Sequence, residues 1–262
     1  SAIMSAAYWW TGAPHRCVEA AERARSLASA VGDDAIRVQT NTRLSYAYTA
    51  LGEYRRALEF AAANIALLQG DRVAERYGSA GVPAADSRTI SAVCLAELGE
   101  FAAGAALGEE GIRIAETAAQ PFSLMFAYAR VGRLRLQQGD LDQAVTLLER
   151  SLAIAGGGDS RYQLVVASGA LGGAYIATGR LAEALPMLEQ AIEQAATLRV
   201  MNDQAQRAVW LAEGYLLAGR WADARAQGCQ ALAIAREYRE LGSEAWALRL
   251  LGEITAQADP PD

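Results

Sequence analysis

The side chains that most often carry catalysis are scarce in this sequence, and none of them forms a recognisable catalytic motif. His15 is the only histidine, and no serine, cysteine or carboxylate stands at a motif spacing from it. All 24 basic residues are arginine, which excludes a lysine Schiff base, a lysine general base and a Walker-type phosphate loop within these 262 residues. The glycines at 156–158 have no predicted strand before them and no lysine after them. We therefore predict a chain that is not an enzyme, with no catalytic residue and no cofactor.

Metal sites and polyanionic partners are also disfavoured. Cys17, Cys94 and Cys229 stand far apart, without Cys-x-x-Cys or Cys/His spacing, so we predict no metal site and expect the reduced, buried thiols of a cytoplasmic protein. The formal net charge of −6 disfavours nucleic acid and anionic membranes as partners. No apolar run approaches the roughly 18 residues that a membrane-spanning helix needs. A protein or a peptide is then the expected partner.

The remaining binding candidates are arginine, aromatic and acidic side chains at comparable places in successive parts of the chain. Arginine and aromatic residues are the types that most often anchor partners in a groove. Two interpretations stay open. Either the set forms a partner-binding groove, or its tryptophans pack between helices while Arg249 and Glu253 form an ordinary helix-surface pair. The set is Arg43, Tyr46, Arg130, Arg133, Trp210, Glu213, Trp246, Arg249 and Glu253.

Regularly spaced glycines indicate the elements that must position these residues. They are Gly12, Gly52, Gly99, Gly139, Gly179 and Gly219. Four of the five intervals are 40 residues, and the interval from Gly52 to Gly99 is 47. A period of this size is typical of stacked supersecondary units, each unable to bury its apolar face alone.

We predict that each unit is an antiparallel pair of helices. In the clearest copy, apolar and small residues fall three or four apart from Leu171 to Ala191, on either side of Gly179. Small residues such as Ala184 should mark the places where neighbouring helices touch. We therefore predict one all-α domain over residues 1–262. It is a right-handed α-solenoid of about 13 helices in seven units of about 40 residues, the first and last incomplete.

The long interval places extra residues between positions 70 and 87, where Gly78, Gly81 and Pro83 interrupt two helical runs. We expect an ordered surface loop there. It is either a tolerated insertion, since loop length costs little stability, or a flap over the concave face of the solenoid.

The pattern resembles the tetratricopeptide repeat. Leu171-Gly172, then Tyr175, the turn glycine Gly179, Leu181 and two helix-B alanines follow that family's signature. The resemblance covers nearly the whole chain and implies a helical scaffold that binds other molecules. The departure is in length, because the family's unit has about 34 residues.

Three stretches support a narrower resemblance. They are residues 94–101 (CLAELGEF), 188–195 (LEQAIEQA) and 244–253 (EAWALRLLGE). These, with the end at Asp259–Asp262, are similar to the C-terminal repeat region of bacterial signalling proteins that combine a class III adenylate/guanylate cyclase, an AAA-like ATPase and tetratricopeptide repeats. The resemblance implies a fragment of a larger multidomain protein. Related arrays also occur in ATP-dependent transcription activators.

Three functions remain open. The leading hypothesis is a regulatory module of a signalling protein that binds a protein or peptide in its concave groove. The second is a small-molecule sensor, with a pocket closed by residues 70–87 over Tyr46. The third is a self-assembly scaffold, in which the incomplete ends at Trp9, Trp10, Trp246 and Leu250 associate into a homo-oligomer.

Overall fold

The computed structural model describes residues 8, 9 and 11–258, which contain helices and turns and no strand. One short 3-10 helix covers Gly70–Ala74. The twelve α-helices of this part of the chain are α1 (Pro14–Val31), α2 (Asp34–Ala50), α3 (Tyr54–Leu67), α4 (Pro83–Glu97), α5 (Phe101–Thr117), α6 (Pro121–Gln138), α7 (Leu141–Gly156), α8 (Arg161–Ala177), α9 (Leu181–Leu198), α10 (Gln204–Leu217), α11 (Trp221–Tyr238) and α12 (Leu241–Ala258).

Helices α2 to α11 form five consecutive antiparallel hairpins, which confirms the predicted all-α solenoid. Helix α1 precedes them as the second helix of the first unit, and α12 follows as the first helix of the seventh. A thirteenth helix was predicted before α1, over Ile3 to Trp10. Apart from Tyr8 and Trp9, it lies outside the described residues, as does Asp259–Asp262.

The periodic glycines act as predicted at the hairpin turns. Gly139, for example, ends α6 with a φ of 86°, a left-handed conformation that glycine adopts at little cost. Asp140 then begins α7, its side chain accepting a hydrogen bond from the backbone N–H of Gln143. The chain therefore reverses within two residues, and the paired helices lie side by side.

Small residues occupy the helix contacts, also as predicted. Ala184 and Ala191 on α9 are buried, and Gly172 on α8 faces Leu188 between them. A Cβ added at Gly172 would lie 2.6 Å from Leu188 Cγ, closer than carbon atoms approach without a shift. The two helices can therefore pack at this distance only with glycine at position 172.

Tyrosines on the first helices of the fifth and sixth units tie these units to the ones before them. The hydroxyl of Tyr175 donates to Glu149 at 2.9 Å, and that of Tyr215 donates to Glu189 at 2.7 Å. The Arg180 guanidinium covers the Tyr175 ring at 3.7 Å from its centroid. These repeated contacts fix how successive hairpins stack.

Residues 70–82 form an ordered segment between α3 and α4. The Gln39 amide donates to the carbonyl of Tyr77 at 2.5 Å, and the Gln120 amide donates to that of Ala80 at 2.9 Å. The backbone N–H of Val82 donates to Ser123 Oγ at 2.7 Å. The segment is thus held by both α2 and the start of α6, and it spans the concave side between them.

The array completes one superhelical turn, so its first turns lie against its last helices. A Cβ added at Gly12 would lie 2.5 Å from the Cβ of Met201 and 3.3 Å from the ring of Tyr238. One added at Gly52 would lie 3.0 Å from the Cβ of Leu241. We call this contact, made by these five residues, the closure seam. It brings the two ends of the array together, so that the expected groove becomes a central cavity.

Two expectations about exposed side chains are wrong. Leu250 is fully buried and Trp246 is half-buried, because α12 packs against α10 and α11. The predicted self-assembly surface therefore loses Leu250, whereas Trp9 and Trp246 stay partly exposed, and Trp10 lies outside the described part. Cys17 and Cys94 are buried as expected, but Cys229 is exposed because it follows the inward-facing Gly228 on α11. In the described part of the chain, none of the helices combines the length and the apolar composition of a membrane span.

Candidate ligand-binding cavity

A cavity of about 440 Å³ lies at the centre of the superhelical turn. Its wall is built from the first helices of the units, α2, α4, α6, α8, α10 and α12, and residues 78–81 of the ordered segment border it. Six of the nine predicted groove residues line it: Arg43, Tyr46, Arg130, Arg133, Trp210 and Trp246. The structure thus brings together side chains from four separate repeats.

Glu213, Arg249 and Glu253 do not line the cavity. The guanidinium of Arg249 forms ion pairs with both carboxylates, at 3.9 Å from Glu213 and with Glu253 one helical turn away, and it also covers the ring of Trp246. Burial raises the pKa of Glu213. For Arg249 and Glu253 the observed arrangement is the helix-surface pair that was the alternative interpretation.

One polar cluster joins α2, α4 and α6 at the cavity wall. Arg130 donates to the Asp86 carboxylate at 2.9 Å and to Thr89 Oγ1 at 3.1 Å. Its guanidinium lies 5.0 Å from the centre of the Tyr46 ring, which in turn lies 5.6 Å from the ring of Trp9. Burial raises the pKa of Tyr46 to about 12, so its hydroxyl stays protonated at neutral pH.

A second cluster joins α6 to the loop before α10. Arg133 and Asp203 form an ion pair at 3.3 Å, with the Arg133 guanidinium 5.7 Å from the centre of the Trp210 ring. Asp203 directly precedes α10 but makes no capping hydrogen bond, and its φ is 57°. Its carboxylate therefore points to the cavity instead of capping the helix, in a backbone conformation that costs free energy for a residue other than glycine.

Two buried ionisable residues complete the wall near the closure seam. Arg207 is 2% exposed and donates to the carbonyl of Asn202 at 2.9 Å and to Gln204 Oε1 at 3.0 Å, both uncharged acceptors. Burial lowers the pKa of its guanidinium. Glu240, at the start of α12, is 4% exposed, and burial raises the pKa of its carboxyl to about 8. It therefore keeps its proton at neutral pH.

Two glycines of α8 make room for this wall. A Cβ added at Gly169 would lie 2.7 Å from Arg207 Cδ, and one added at Gly173 would lie 2.6 Å from the indole of Trp210. Each glycine leaves space that a large side chain of α10 fills. The fifth unit therefore contributes the space that the side chains of the sixth unit occupy.

Sequence reasoning missed five charged residues of the cavity: Asp86, Glu97, Asp203, Arg207 and Glu240. Glu97 is the last residue of α4. Asp203 and Glu240 precede first helices, outside the helix-A positions from which the groove was read. Asp86 and Arg207 lie within the first turns of α4 and α10. The signal that could have found them is the run of polar residues at the start of these helices, such as Asn202 to Gln206. Across the described chain, His, Cys, Asp and Glu side chains form no group that could hold a metal.

The family comparison agrees with this architecture. Residues 123–197, which span α6 to α9, match the tetratricopeptide repeat family. Over these residues the chain is similar to that family, and the helices before and after them form hairpins of the same kind. A search of curated proteins found no match to this array.

Solved structures show the same fold over most of the array. A Rap protein complexed with competence and sporulation factor has a TM-score of 0.67 at 16% identity, over 97% of this chain and 73% of that one. A Rap conjugation gene regulator of plasmid pLS20, in complex with a Phr peptide, has a TM-score of 0.64 at 11% identity and the same two coverages. A thermophilic tetratricopeptide repeat protein of Thermus thermophilus has a TM-score of 0.53 at 21% identity, over 82% of this chain and 98% of that one. At these identities the likeness concerns the fold.

Proposed function

We propose that this repeat array is a non-enzymatic regulatory module that binds a short peptide in the central cavity. The observation that carries the proposal is the central cavity of about 440 Å³, to which α2, α4, α6, α8, α10 and α12 all contribute. This volume lies in the range of about 300–1,000 Å³ that is usual for sites of small ligands. A folded protein partner is too large to enter it, whereas a short peptide fits.

The chemistry of the wall also suits a peptide. Uncharged donors and acceptors such as Thr42, Ser79, Gln206 and Ser243 line the cavity and can pair with backbone amides. Indole and phenol rings between them offer the flat apolar surfaces that anchor side chains. Two Rap structures of the same fold are described as complexes, one with competence and sporulation factor and one with a Phr peptide.

A small-molecule effector is the second candidate, and one observation favours it. Gly78, Ser79, Ala80 and Gly81 border the same cavity as Tyr46, so the ordered segment and that ring both belong to its wall. A concave wall of this kind is typical of pockets that surround a compact ligand.

Thermal unfolding with ligand libraries tests the proposal. A ligand at about 100 times its dissociation constant should stabilise the array by about 2.7 kcal/mol. We expect pools of short peptides to raise the unfolding temperature, while pools of nucleotides and sugars leave it unchanged. A shift with the metabolite pools alone would instead establish the second candidate.

A blocking variant shows whether the shift arises in the cavity. Ser79→Trp places a large ring at the cavity wall and should abolish the peptide-induced shift. Asp71→Trp lies on the same segment, is exposed and does not line the cavity, so it should respond like the parent protein. An undiminished shift in Ser79→Trp would contradict binding at this site.

A further inference from the structure

Only some of the charged residues that line the cavity form ion pairs with one another. Four arginines and four acidic residues line it, and two ion pairs use half of them, Arg130 with Asp86 and Arg133 with Asp203. The lining residues outside these two ion pairs are two arginines, Arg43 and Arg207, and two acidic residues, Glu97 and Glu240.

The two remaining acidic residues do not neutralise the two remaining arginines. Glu97 accepts a hydrogen bond from the Gln137 amide at 2.7 Å and forms no ion pair within the described chain. The carboxyl of Glu240 has a pKa of about 8 because it is buried close to Asp203, although Arg207, Arg133 and Ser243 favour its ionised form. At neutral pH it is uncharged, and the cavity holds more positive than negative charge.

Arg43 is the arginine that is open to a ligand. It is half-buried on α2 and lines the cavity, three residues before Tyr46 on the same helix. Among the described residues its guanidinium makes no hydrogen bond and no ion pair. Arg207, by comparison, is packed under Gly169 and uses its donors on uncharged acceptors. An enclosed guanidinium without a counter-charge favours binding of an anion, because much of its desolvation cost is met before the ligand arrives.

We propose that the ligand presents a carboxylate to Arg43, an inference that rests on the proposed function. A carboxylate matches the planar fork of a guanidinium with two parallel hydrogen bonds. In a short peptide it comes from the C-terminus or from an aspartate or glutamate side chain. Tyr46 lies close enough to interact with both Arg43 and the Arg130 guanidinium, so its ring borders the bound group.

Three tetrapeptide libraries separate the two sources. The first has free C-termini and no Asp or Glu, the second has amidated C-termini and no Asp or Glu, and the third has amidated C-termini and includes Asp and Glu. Retention by the intact chain is measured by affinity selection and mass spectrometry. We expect the second library not to be retained and at least one of the others to be retained, which identifies the source of the carboxylate.

Matched arginine variants locate the interaction. Arg43→Gln should weaken binding of the selected acidic peptides by about tenfold or more, the usual size of a lost charge-assisted hydrogen-bond pair. Arg249→Gln removes an arginine outside the cavity and should change their affinity less than about twofold. Because Arg43 has no partner among the described residues, Arg43→Gln should unfold at the same temperature as the parent.

The outcomes keep the two proposals distinct. Equal retention of the second library, or an unchanged affinity in Arg43→Gln, would overturn the role of Arg43 and leave peptide binding intact. Retention of none of the three libraries would overturn peptide binding itself.

Discussion

Burial raises the pKa of the Glu240 carboxyl, at the start of α12, to about 8. Its carboxyl lies in the cavity wall, close to Asp203, whose charge disfavours a second carboxylate. Arg207 and Arg133 stand near enough to offset part of this cost, yet neither forms an ion pair with it within the described chain. A residue that is ionised in the unfolded chain is therefore neutral in the folded one.

Stability should consequently fall as the pH rises from about 4.5 to about 8. Within that window the folded state holds a proton that the unfolded state has lost, so unfolding releases it, and each pH unit costs up to about 1.4 kcal/mol. Glu240→Gln removes this contribution. Measured by urea unfolding, the stability of the variant relative to the parent should increase by about 3 kcal/mol between about pH 5.5 and 8.

The exposed Glu237 on α11 provides the control for this measurement. Glu237→Gln should give a stability difference from the parent that stays constant over the same pH range. A constant difference for Glu240→Gln as well would show that Glu240 is ionised in the folded protein.

Glycines at the same place in the first helices of different units have different structural roles. Gly172 of α8 and Gly252 of α12 occupy the same place in the repeat, each directly after a leucine. Gly172 faces Leu188 of its own hairpin, whereas nothing lies within 4 Å of a Cβ added at Gly252. The same residue type thus allows close packing in one unit and has no such role in the other.

Alanine substitutions at these two positions should have opposite effects. Gly172→Ala forces a methyl group against Leu188 and should destabilise the array by about 1–3 kcal/mol in urea unfolding. Gly252→Ala adds a methyl group in open space and should be neutral or stabilise by up to about 1 kcal/mol, since alanine favours helix more than glycine does. Equal losses at both positions would contradict this account of the contact.

Most of the helices and turns could be predicted from the sequence because the residues that specify them lie close together in the chain. The turn glycines, the small helix-contact residues and the apolar spacing each act within one hairpin, and α1 to α12 follow them. Six of the nine predicted groove residues line the cavity, since the concave face repeats with the units. The cavity itself could not be predicted. It depends on the closure seam, whose contacts join the first turns to the last helices, and on side chains such as Asp203 in loops that have no periodic signal.

At the scale of the whole molecule, the closure seam should control the shape of the array. Gly12 and Gly52 both have left-handed φ, as do Gly179 and Gly219, but only the first two face other residues closely. The double variant Gly12→Ala/Gly52→Ala should open the superhelix, because the added methyl groups meet the Cβ atoms of Met201 and Leu241. Small-angle scattering should show a larger radius of gyration with unchanged helix content.

Gly179→Ala/Gly219→Ala is the matched control. It introduces the same left-handed strain, about 1–2 kcal/mol per residue, at turns where nothing lies within 4 Å. Its unfolding temperature should fall, while its radius of gyration should equal that of the parent. If both double variants expand alike, turn strain and not the seam sets the shape.

Joining the first turns to the last helices also fixes the circumference of the array. An open stack of helix pairs tolerates the loss or gain of a pair, because each pair touches only its neighbours. Here the loss of one pair from the middle would leave a gap of about 10 Å per missing helix layer, and the two ends would no longer meet. The extra residues at 70–82 lie outside the helix pairs, where added length does not alter the circumference. Variation in this protein is then expected in such edge segments and not in the number of pairs.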